Sequence, residues 1–322
     1  MKKSLLLLVA ALTTLVASAH DFEVDGICYN ITSEADKTVE VTYKGDDPYQ
    51  PGSYSGSITL PATVTYDGVQ YSVTNIGNSA FSDCSSLTSI TLPKGVTSIG
   101  YCAFASCESL TSITLPESVT SIGDGAFEHC ENLTSITLPE GLTSIGKQAF
   151  CSCRSLTSIN IPEGVTRIEK GVFQSCSNLT SVILPEGVTT IEYVAFVYCY
   201  SLTSIILPAS VTSIGAQAFA FCFSLTSITC HAATPPTIED SFSFEGVDKS
   251  IPVHVPTGSI EAYKAATGWS DFTNYVGIET GIEHPEIRNH KSEITYDLHG
   301  RRVDNPTRGG IYIVGGRKVV IK

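Results

Sequence analysis

The sequence lacks the features by which membrane proteins, nucleic-acid binders and common enzymes are recognised. After residue 19, no apolar stretch approaches the roughly 20 residues that a membrane-spanning helix needs. Residues 20–280 hold only 9 Lys and Arg against 27 Asp and Glu, a balance that argues against nucleic acid or an anionic membrane as partner. No H-E-x-x-H, G-x-S-x-G, P-loop or G-x-G-x-x-G motif occurs. We therefore predict a non-enzymatic protein that has no cofactor and no membrane span.

The first 19 residues have the pattern of a Sec signal peptide. Two lysines precede an apolar core at residues 5–16, and the small residues 17–19 form a cleavage site. We expect cleavage before His20 and a secreted or cell-surface protein. The residue directly after the expected cleavage site is His20 and not the cysteine of a lipoprotein, which argues against a lipoprotein anchor.

A strict repeat of 23 residues dominates the rest of the chain. Phenylalanine recurs at this spacing at positions 81, 104, 127, 150, 173, 196, 219 and 242. Cysteine runs beside it at positions 84, 107, 130, 153, 176, 199 and 222. We call these two sets the phenylalanine column and the cysteine column. A period too long for a heptad and too short for a domain indicates one small structural unit, copied and stacked along an axis.

The repeating unit predicts two short strands and a turn. It reads C-x-x-L-T-S-I-x-L-P-x-x-V-T-S-I-G-x-x-A-F-x-x. The L-x-x-I-x-L spacing places its last two apolar residues on one side of a strand, which ends at the proline because proline has no amide to donate. The V-T-S-I-G segment forms a second extended piece, and the Ala-Phe pair lies in a turn with its ring inward. Stacked copies would form a solenoid.

The string LTSITLPESVTSIGDGAFEHCENL at 110–133 resembles the leucine-rich repeat of the BspA type. The resemblance implies a β-rich solenoid whose short parallel strands stack in a right-handed coil, with a cap at each end. It also implies a surface or secreted protein of Bacteroidetes with an adhesive function, without naming the ligand. A terminal unit of this type is similar to residues 251–272, where Ser259 is placed to begin a helix that runs to Ala266 and stops at Gly268.

The C-terminal tail resembles the sorting signals of type IX secretion. Its strings ITYDLHGRRV (294–303) and GGIYIVGGRKVVIK (309–322) predict two alternating strands and a Gly-Gly hairpin turn. The charge changes sign near residue 280, because the tail holds 5 acids and 8 bases. The expected organisation is a signal peptide (1–19), a β-rich N-terminal cap (20–75), the repeat solenoid (76–230), a degenerate repeat with the C-terminal cap (231–276), and a linker with the sorting-like tail (277–322).

The cysteine column raises two alternatives, a disulfide framework and a metal site. Neighbouring turns would hold their cysteines about 4.8 Å apart and pointing the same way, whereas a disulfide needs side chains turned toward each other. Zinc needs four converging ligands. We therefore predict no metal site and interpret the column as small buried apolar residues. Any disulfide would better involve the cysteines off the column, at positions 28, 102, 151 and 230.

A column of acids follows the proline in four successive turns, at positions 117, 140, 163 and 186. Each turn supplies one carboxylate, whereas Ca²⁺ takes six to eight oxygen ligands. We interpret the column as a solvated acidic edge.

The candidate interaction site lies where the variable positions become apolar. Most turns carry polar residues there, but the later turns carry the candidate interface Ile183, Tyr193, Tyr198, Tyr200, Ile206, Phe221 and Phe223. Grouped exposed aromatics are typical of an interface. Two alternatives remain open for them: docking of the capping segment 231–276, favoured for the two phenylalanines, and binding of an external partner.

The sequence favours protein binding or adhesion, with a protein or glycoprotein of the host extracellular matrix or mucosal surface as the partner. Two other functions stay open. The three tyrosines could form a stacking platform for a glycan, and the near-identical repeats from 84 to 180 fit a structural spacer. The sequence does not indicate the oligomeric state.

Overall fold

A computed structural model describes residues 20–45 and 54–279, and the backbone of three strands in the tail. The chain forms two compact units, one ending at Thr280 and the other running from Gly281 to the C-terminus. The expected signal peptide at 1–19 lies outside the described residues. No helix among the described residues is long and apolar enough to cross a membrane.

Six strands form the entry to the stack: β1 (Phe22–Val24), β2 (Ile27–Ser33), β3 (Thr38–Thr42), β4 (Gly56–Thr59), β5 (Thr63–Tyr66) and β6 (Val69–Ile76). Strands β1, β2 and β3 pair antiparallel. Strand β3 then pairs in parallel with β6, which also pairs antiparallel with β5 and in parallel with the later strand at Ser98–Ile99. The direction of pairing therefore changes from antiparallel to parallel where the first turn of the stack begins.

Each turn of the stack contributes two short strands. In chain order these are β7 (Leu87–Thr91), β8 (Ser98–Ile99), β9 (Ser112–Thr114), β10 (Ser121–Ile122), β11 (Ser135–Thr137), β12 (Ser144–Ile145), β13 (Ser158–Asn160), β14 (Arg167–Ile168), β15 (Ser181–Ile183), β16 (Thr190–Ile191), β17 (Ser204–Leu207), β18 (Ser213–Ile214), β19 (Ser227–Cys230) and β20 (Thr237–Ile238). Where strands of neighbouring turns pair, odd-numbered strands pair in parallel with odd-numbered ones and even-numbered strands with even-numbered ones. No ladder joins β11 to β13, β12 to β14 or β15 to β17. The first unit is a parallel-strand β-solenoid of about nine turns. The repeat predicts the solenoid and its spacing of about 23 residues, but it indicates only seven or eight turns.

The phenylalanine column forms the centre of the interior. From Phe81 to Phe219, successive rings stack with centroids 5.2 to 5.7 Å apart and are fully buried. Stacked aromatic pairs add roughly 0.5–1.5 kcal/mol each beyond the burial of their area. The leucine, isoleucine and alanine positions of each turn are buried around this column, so the turns share one continuous core.

The prediction that Phe242 is the eighth member of the column is wrong. Phe219 stacks on Phe244 at 5.3 Å, and the amide of Phe219 donates to the carbonyl of Ser243, whereas Phe242 is 51% exposed. The last turn is longer than the others, since β20 pairs with β18 at a spacing of 24 residues. The extra length moves position 242 out of the interior and places Phe244 there instead.

The cysteine column is buried beside the phenylalanines. Each thiol from Cys107 to Cys222 donates to the carbonyl of the phenylalanine in the preceding turn, at 3.0 to 3.2 Å. Burial raises the pKa of the Cys84 thiol from 9.0 to about 11 and that of Cys222 to about 12. All eleven cysteines, including the four off the column, are free thiols.

The C-terminal cap contains β21 (Pro252–Pro256), a 3₁₀ turn (Thr257–Ser259), the helix α1 (Ile260–Ala265) and β22 (Asn274–Ile278). The predicted start of the helix at Ser259 is correct in position but not in mechanism. The Ser259 hydroxyl makes no capping bond and donates to the carbonyl of Ala233. The helix ends one residue before the predicted Ala266, and Gly268 follows in the left-handed region with φ +79°.

Aromatic residues close both ends of the phenylalanine column. At the start, Tyr54 packs on Phe81 with ring centroids 5.0 Å apart. At the end, Trp269 and Phe272 contact Phe244 at 5.6 and 5.3 Å, and the Trp269 indole donates to the carbonyl of Pro236. The exposed faces that a stack of repeats leaves at its termini are thereby covered.

The second unit contains β23 (Thr295–Tyr296), β24 (Ile311–Val314) and β25 (Arg317–Val320), which pair antiparallel in that order. Val314 pairs with Arg317, so two glycines connect β24 to β25, as the predicted hairpin requires. The remaining residues of the predicted tail lie outside the described part of the chain.

Candidate interaction surface

The seven candidate residues occupy two parts of the surface. Ile183 in β15 and Ile206 in β17 point outward from the first strand of their turns and are 62% and 53% exposed. The five aromatic residues lie in the segments that follow the second strands. Four of them, Tyr198, Tyr200, Phe221 and Phe223, touch one another and are called the aromatic cluster below.

The aromatic cluster is a two-by-two arrangement of rings from neighbouring turns. Along the stack, Tyr198 lies on Phe221 with centroids 5.1 Å apart, and Tyr200 lies on Phe223 at 5.7 Å with ring planes 1° apart. Across the stack, the two tyrosines are 6.0 Å apart and the two phenylalanines 5.9 Å apart. Residues 23 apart in sequence therefore stack, as the spacing predicts.

Two members of the aromatic cluster occupy a position at which the backbone is left-handed. This position recurs in each turn with φ between 55° and 62°, at Asp83, Ser106, His129, Ser152, Ser175, Tyr198 and Phe221. A left-handed conformation costs an L-residue about 1–2 kcal/mol, and Asn and Asp tolerate it best. Earlier turns place mostly small polar residues there, so the turn itself does not require an aromatic ring.

A small second core lies beneath one edge of the aromatic cluster. Val194, Val197 and Ala220 are buried together, and Phe221 packs against them. Val197 also stands at a variable position that is polar in most turns, but its side chain is only 3% exposed and does not belong to the exposed surface. The repeat pattern did not reveal this core, since it exists only where two adjacent turns both carry apolar residues.

The C-terminal cap touches the cluster without covering it. Gly246 lies so close that an added Cβ would be 2.7 Å from Cε1 of Phe223 and 3.3 Å from Cδ1 of Phe221. Phe223 is nevertheless 60% exposed, and both tyrosines of the cluster remain exposed. Docking of the cap thus accounts for one edge of the cluster, and the tyrosine side faces solvent.

An open groove of about 250 Å³ runs beside the tyrosines, lined by Arg154, Ser175, Ser177, Tyr198 and Tyr200. Its shape follows from the repeat. The two serines occupy the turn between Arg154 and the two tyrosines, and their small side chains leave a gap between larger neighbours. The Nε atom of Arg154 lies 3.5 Å from a carboxylate oxygen of Glu131, which anchors the guanidinium at one end of the groove.

Tyr193 stands apart from the ring contacts of the cluster. It lies one turn beyond Lys170 at the same repeat position, and the Lys170 ammonium is 5.4 Å from the centre of its ring. A cation at this distance from an aromatic face is attracted to the ring. Tyr193 is 42% exposed, so the pair presents a positive charge and an aromatic edge together.

Sequence reasoning missed several surface residues. Tyr101 and Phe242 are each about half exposed, and neither was a candidate. Arg154, Ser175 and Ser177 were also missed, although aligning the repeats places Arg154, Ser177 and Tyr200 at one position of successive turns. Reading each variable position as a column along the stack would have brought these residues together.

Parallel strands, apolar columns and a 23-residue spacing define a leucine-rich repeat solenoid. The family model for the BspA type leucine-rich repeat region matches residues 63–179 and 143–263, in six copies. The chain belongs to this family. No curated protein sequence matches the chain.

Solved structures of leucine-rich repeat proteins resemble the chain. A leucine-rich cell surface protein of Faecalibacterium prausnitzii A2-165 is 29% identical, with 80% of this chain and 76% of that chain covered and a TM-score of 0.57. The T. pallidum leucine-rich repeat protein is 29% identical over 62% of this chain and 87% of its own, with a TM-score of 0.53. A Bacteroides ovatus leucine-rich repeat protein is 27% identical over 80% and 77%, with a TM-score of 0.50.

Family and fold together define the general capability of the molecule. A stack of repeats offers a long, rigid scaffold suited to protein interaction. Nothing in the family match or in these related structures points to enzymatic activity.

Proposed function

We propose that this protein is exported and binds another protein or glycoprotein through the aromatic cluster, with Tyr193, Ile183 and Ile206 extending the interface. The observation that carries the proposal is the pair Tyr198 and Tyr200. Both rings are exposed, and Tyr198 occupies a left-handed position that small polar residues fill in most earlier turns. The solvent-facing sides of these two rings pack against no other part of the fold. We therefore attribute the two tyrosines to recognition of a partner.

Aromatic rings suit this purpose because they bury much area at a small cost in side-chain entropy. Tyrosine, tryptophan and arginine are enriched among the residues that dominate binding energy, and Arg154 lies at the end of the groove beside the cluster. The partner we favour is a protein or glycoprotein of an extracellular matrix or mucosal surface. The description of the F. prausnitzii relative as a cell surface protein supports an extracellular location.

Export follows from the proposed signal peptide and tail. We propose cleavage before His20, and we propose that residues 277–322 direct transport across an outer membrane. A reporter fused to residues 277–322 should appear outside the cell, and a reporter that stays periplasmic would exclude this route. N-terminal sequencing of the exported protein tests the cleavage site independently.

The binding proposal is tested with the variant Tyr193→Ser/Tyr198→Ser/Tyr200→Ser. We expect it to melt cooperatively near the wild-type temperature and to lose at least about 2 kcal/mol of binding free energy toward a partner found on a panel of matrix and mucosal proteins. Tyr101→Ser is the matched control, since it removes an exposed tyrosine several turns away. Unchanged binding by the triple variant, or loss of its cooperative melting, would exclude the proposal.

A glycan is the second candidate ligand, and the groove favours it specifically. An aromatic wall, two serine hydroxyls and a guanidinium can stack on a sugar ring, hydrogen-bond its hydroxyls and pair with an acidic substituent. A glycan array compares the wild type with Arg154→Ala. If Arg154→Ala loses binding only to the acidic glycans that the wild type binds, the groove is a sugar site. If the wild type binds no glycan on the array but binds a protein on the matrix panel, the ligand is a protein.

A further inference from the structure

The N-terminal cap brings together three side chains of the kinds that bind metal ions. His20 precedes β1, Glu23 lies in β1 and Cys28 lies in β2. Glu23 pairs with Cys28 in the antiparallel ladder of β1 and β2, and directly opposite residues in such a ladder have neighbouring side chains. One imidazole nitrogen, one carboxylate oxygen and the Cys28 sulfur all lie within 4.8 Å of one another.

His20 supplies a second, independent observation. Its Nδ1 atom is buried and has no hydrogen-bond partner, and no other buried side-chain nitrogen or oxygen among the described residues shares this state. Leaving a buried polar atom unsatisfied costs about 1–3 kcal/mol, and such atoms in native structures call for an explanation such as a water or an ion. A metal ion bound between His20, Glu23 and Cys28 would satisfy the Nδ1 atom.

We propose that His20, Glu23 and Cys28 bind one Zn²⁺ ion at the start of the solenoid. Imidazole nitrogen, carboxylate oxygen and thiolate sulfur are the three ligand types that zinc takes in proteins, and their combination favours it over the all-oxygen sets of Mg²⁺ and Ca²⁺. Binding displaces the proton of the Cys28 thiol to solvent, because only the thiolate coordinates. In the absence of metal, the Glu23 carboxylate forms an exposed ion pair with Lys44 at 3.2 Å. Metal binding replaces this ion pair.

The fourth ligand has a source in the chain itself. Cleavage before His20, which rests on the proposed export, leaves a free α-amino group on the residue that carries the imidazole. One residue can then supply two nitrogens to the same ion. The metal would fix the first residue of the mature chain to β1 and β2, at the end of the stack where the repeat pattern gives no support.

The test uses the chain that begins at His20, stripped of metal and titrated with Zn²⁺ alone by calorimetry. We expect one ion per chain. Titration with Co²⁺ should give the absorption of a thiolate–cobalt bond and of a four-coordinate ion. His20→Ala and Glu23→Gln should each weaken Zn²⁺ binding by at least about tenfold, and Cys28→Ser should remove the thiolate–cobalt absorption. The matched controls are Cys102→Ser, which removes the partly exposed thiol, and His129→Ala, which removes an exposed imidazole.

His20 and Glu23 are not core residues, so their variants should fold without metal and keep the measurement interpretable if Cys28→Ser fails to fold. Tight one-to-one binding that both variants weaken, with the controls unaffected, supports the site. The proposal is overturned if Zn²⁺ does not bind in a one-to-one ratio, if His20→Ala binds as tightly as the wild type, or if Cys102→Ser removes the cobalt absorption. None of these outcomes depends on the aromatic cluster, so the two proposals fail separately.

Discussion

The rings of Phe219 and Phe244 stack with centroids 5.3 Å apart and planes 6° from parallel, joining the repeats to the C-terminal cap. Phe244 also contacts Trp269 and Phe272, so it links the column to the residues that cover it. Phe244→Ala should lower the free energy of unfolding by about 3–5 kcal/mol, the usual cost of removing a buried phenylalanine. Phe242→Ala is the control and should change stability by less than about 0.5 kcal/mol. Equal effects of the two variants in chemical denaturation would contradict this account.

Replacing Tyr198 by asparagine separates binding from folding. Asparagine tolerates the left-handed conformation, which relieves about 1–2 kcal/mol of strain, whereas the lost ring contacts cost about 0.5–1.5 kcal/mol. The two effects nearly cancel, so Tyr198→Asn should unfold within about 1 kcal/mol of the wild type while its partner binding falls. Ser106→Asn, at the same position of an earlier turn, should change neither property. A loss of more than about 2 kcal/mol of stability would assign Tyr198 a structural role instead.

The cysteine column should make the fold sensitive to alkaline pH. Burial raises the pKa of Cys84 from 9.0 to about 11 in the folded protein. Its contribution is therefore fully present below pH 9 and is lost as the pH rises through 11, because the unfolded thiol ionises first. Between these two pKa values, each such thiol should lower the free energy of unfolding by about 1.4 kcal/mol per pH unit.

The measurement is the melting temperature of the wild type and of Cys84→Ala at pH 8, 9 and 10. The difference between the two proteins isolates the thiol, because the buried tyrosines, whose pKa is also raised by burial, are present in both. We expect a fall above pH 9 that becomes shallower in Cys84→Ala, which removes one raised thiol. A melting temperature that stays constant from pH 8 to 10 would refute the effect.

Gly246 connects the stability of the cap to the shape of the aromatic cluster. Gly246 has a φ of +77°, and a Cβ added there would lie 2.7 Å from the Phe223 ring. Gly246→Ala should therefore lower the free energy of unfolding by about 1–2 kcal/mol and displace the Phe223 ring. Gly258→Ala is the matched control, because Gly258 has no atom within 4 Å of an added Cβ. Thermal melts measure the loss of stability, and the tyrosine signals of an NMR spectrum report the displaced ring. If Gly246→Ala changes neither, the cap does not contact the cluster.

The sequence predicted the stacked part of the fold because every turn repeats the same constraints. Leu110, Phe127 and Cys130 each have a copy 23 residues away. The same apolar pattern therefore supports the same assignment in each of seven turns. Phe242 was misplaced because the added length after β19 has no counterpart elsewhere, and a period says nothing about a single insertion. The approach of His20 to Cys28 was equally invisible, since it depends on one antiparallel pairing that occurs once.

The geometry of the candidate residues was predicted only in part. Spacing alone indicated that Tyr198 would stack on Phe221, because the strands fix the distance between turns. It did not indicate the groove beside Ser175, which needs the small side chain and its larger neighbours to be compared along the stack. Backbone conformation at Tyr198 was also beyond prediction, because serine, histidine and tyrosine all occupy that position.

The left-handed position that recurs in every turn has a consequence for what the molecule can recognise. Its side chains form a row along the solenoid, partly or fully exposed except for the buried Ser152, and spaced by the separation of neighbouring strands, about 4.8 Å. A substitution at this position changes one side chain of the row and leaves the interior intact. A ligand that contacts several points at once must present its own groups at multiples of that interval, which an extended chain or a polymer does more readily than a compact globule.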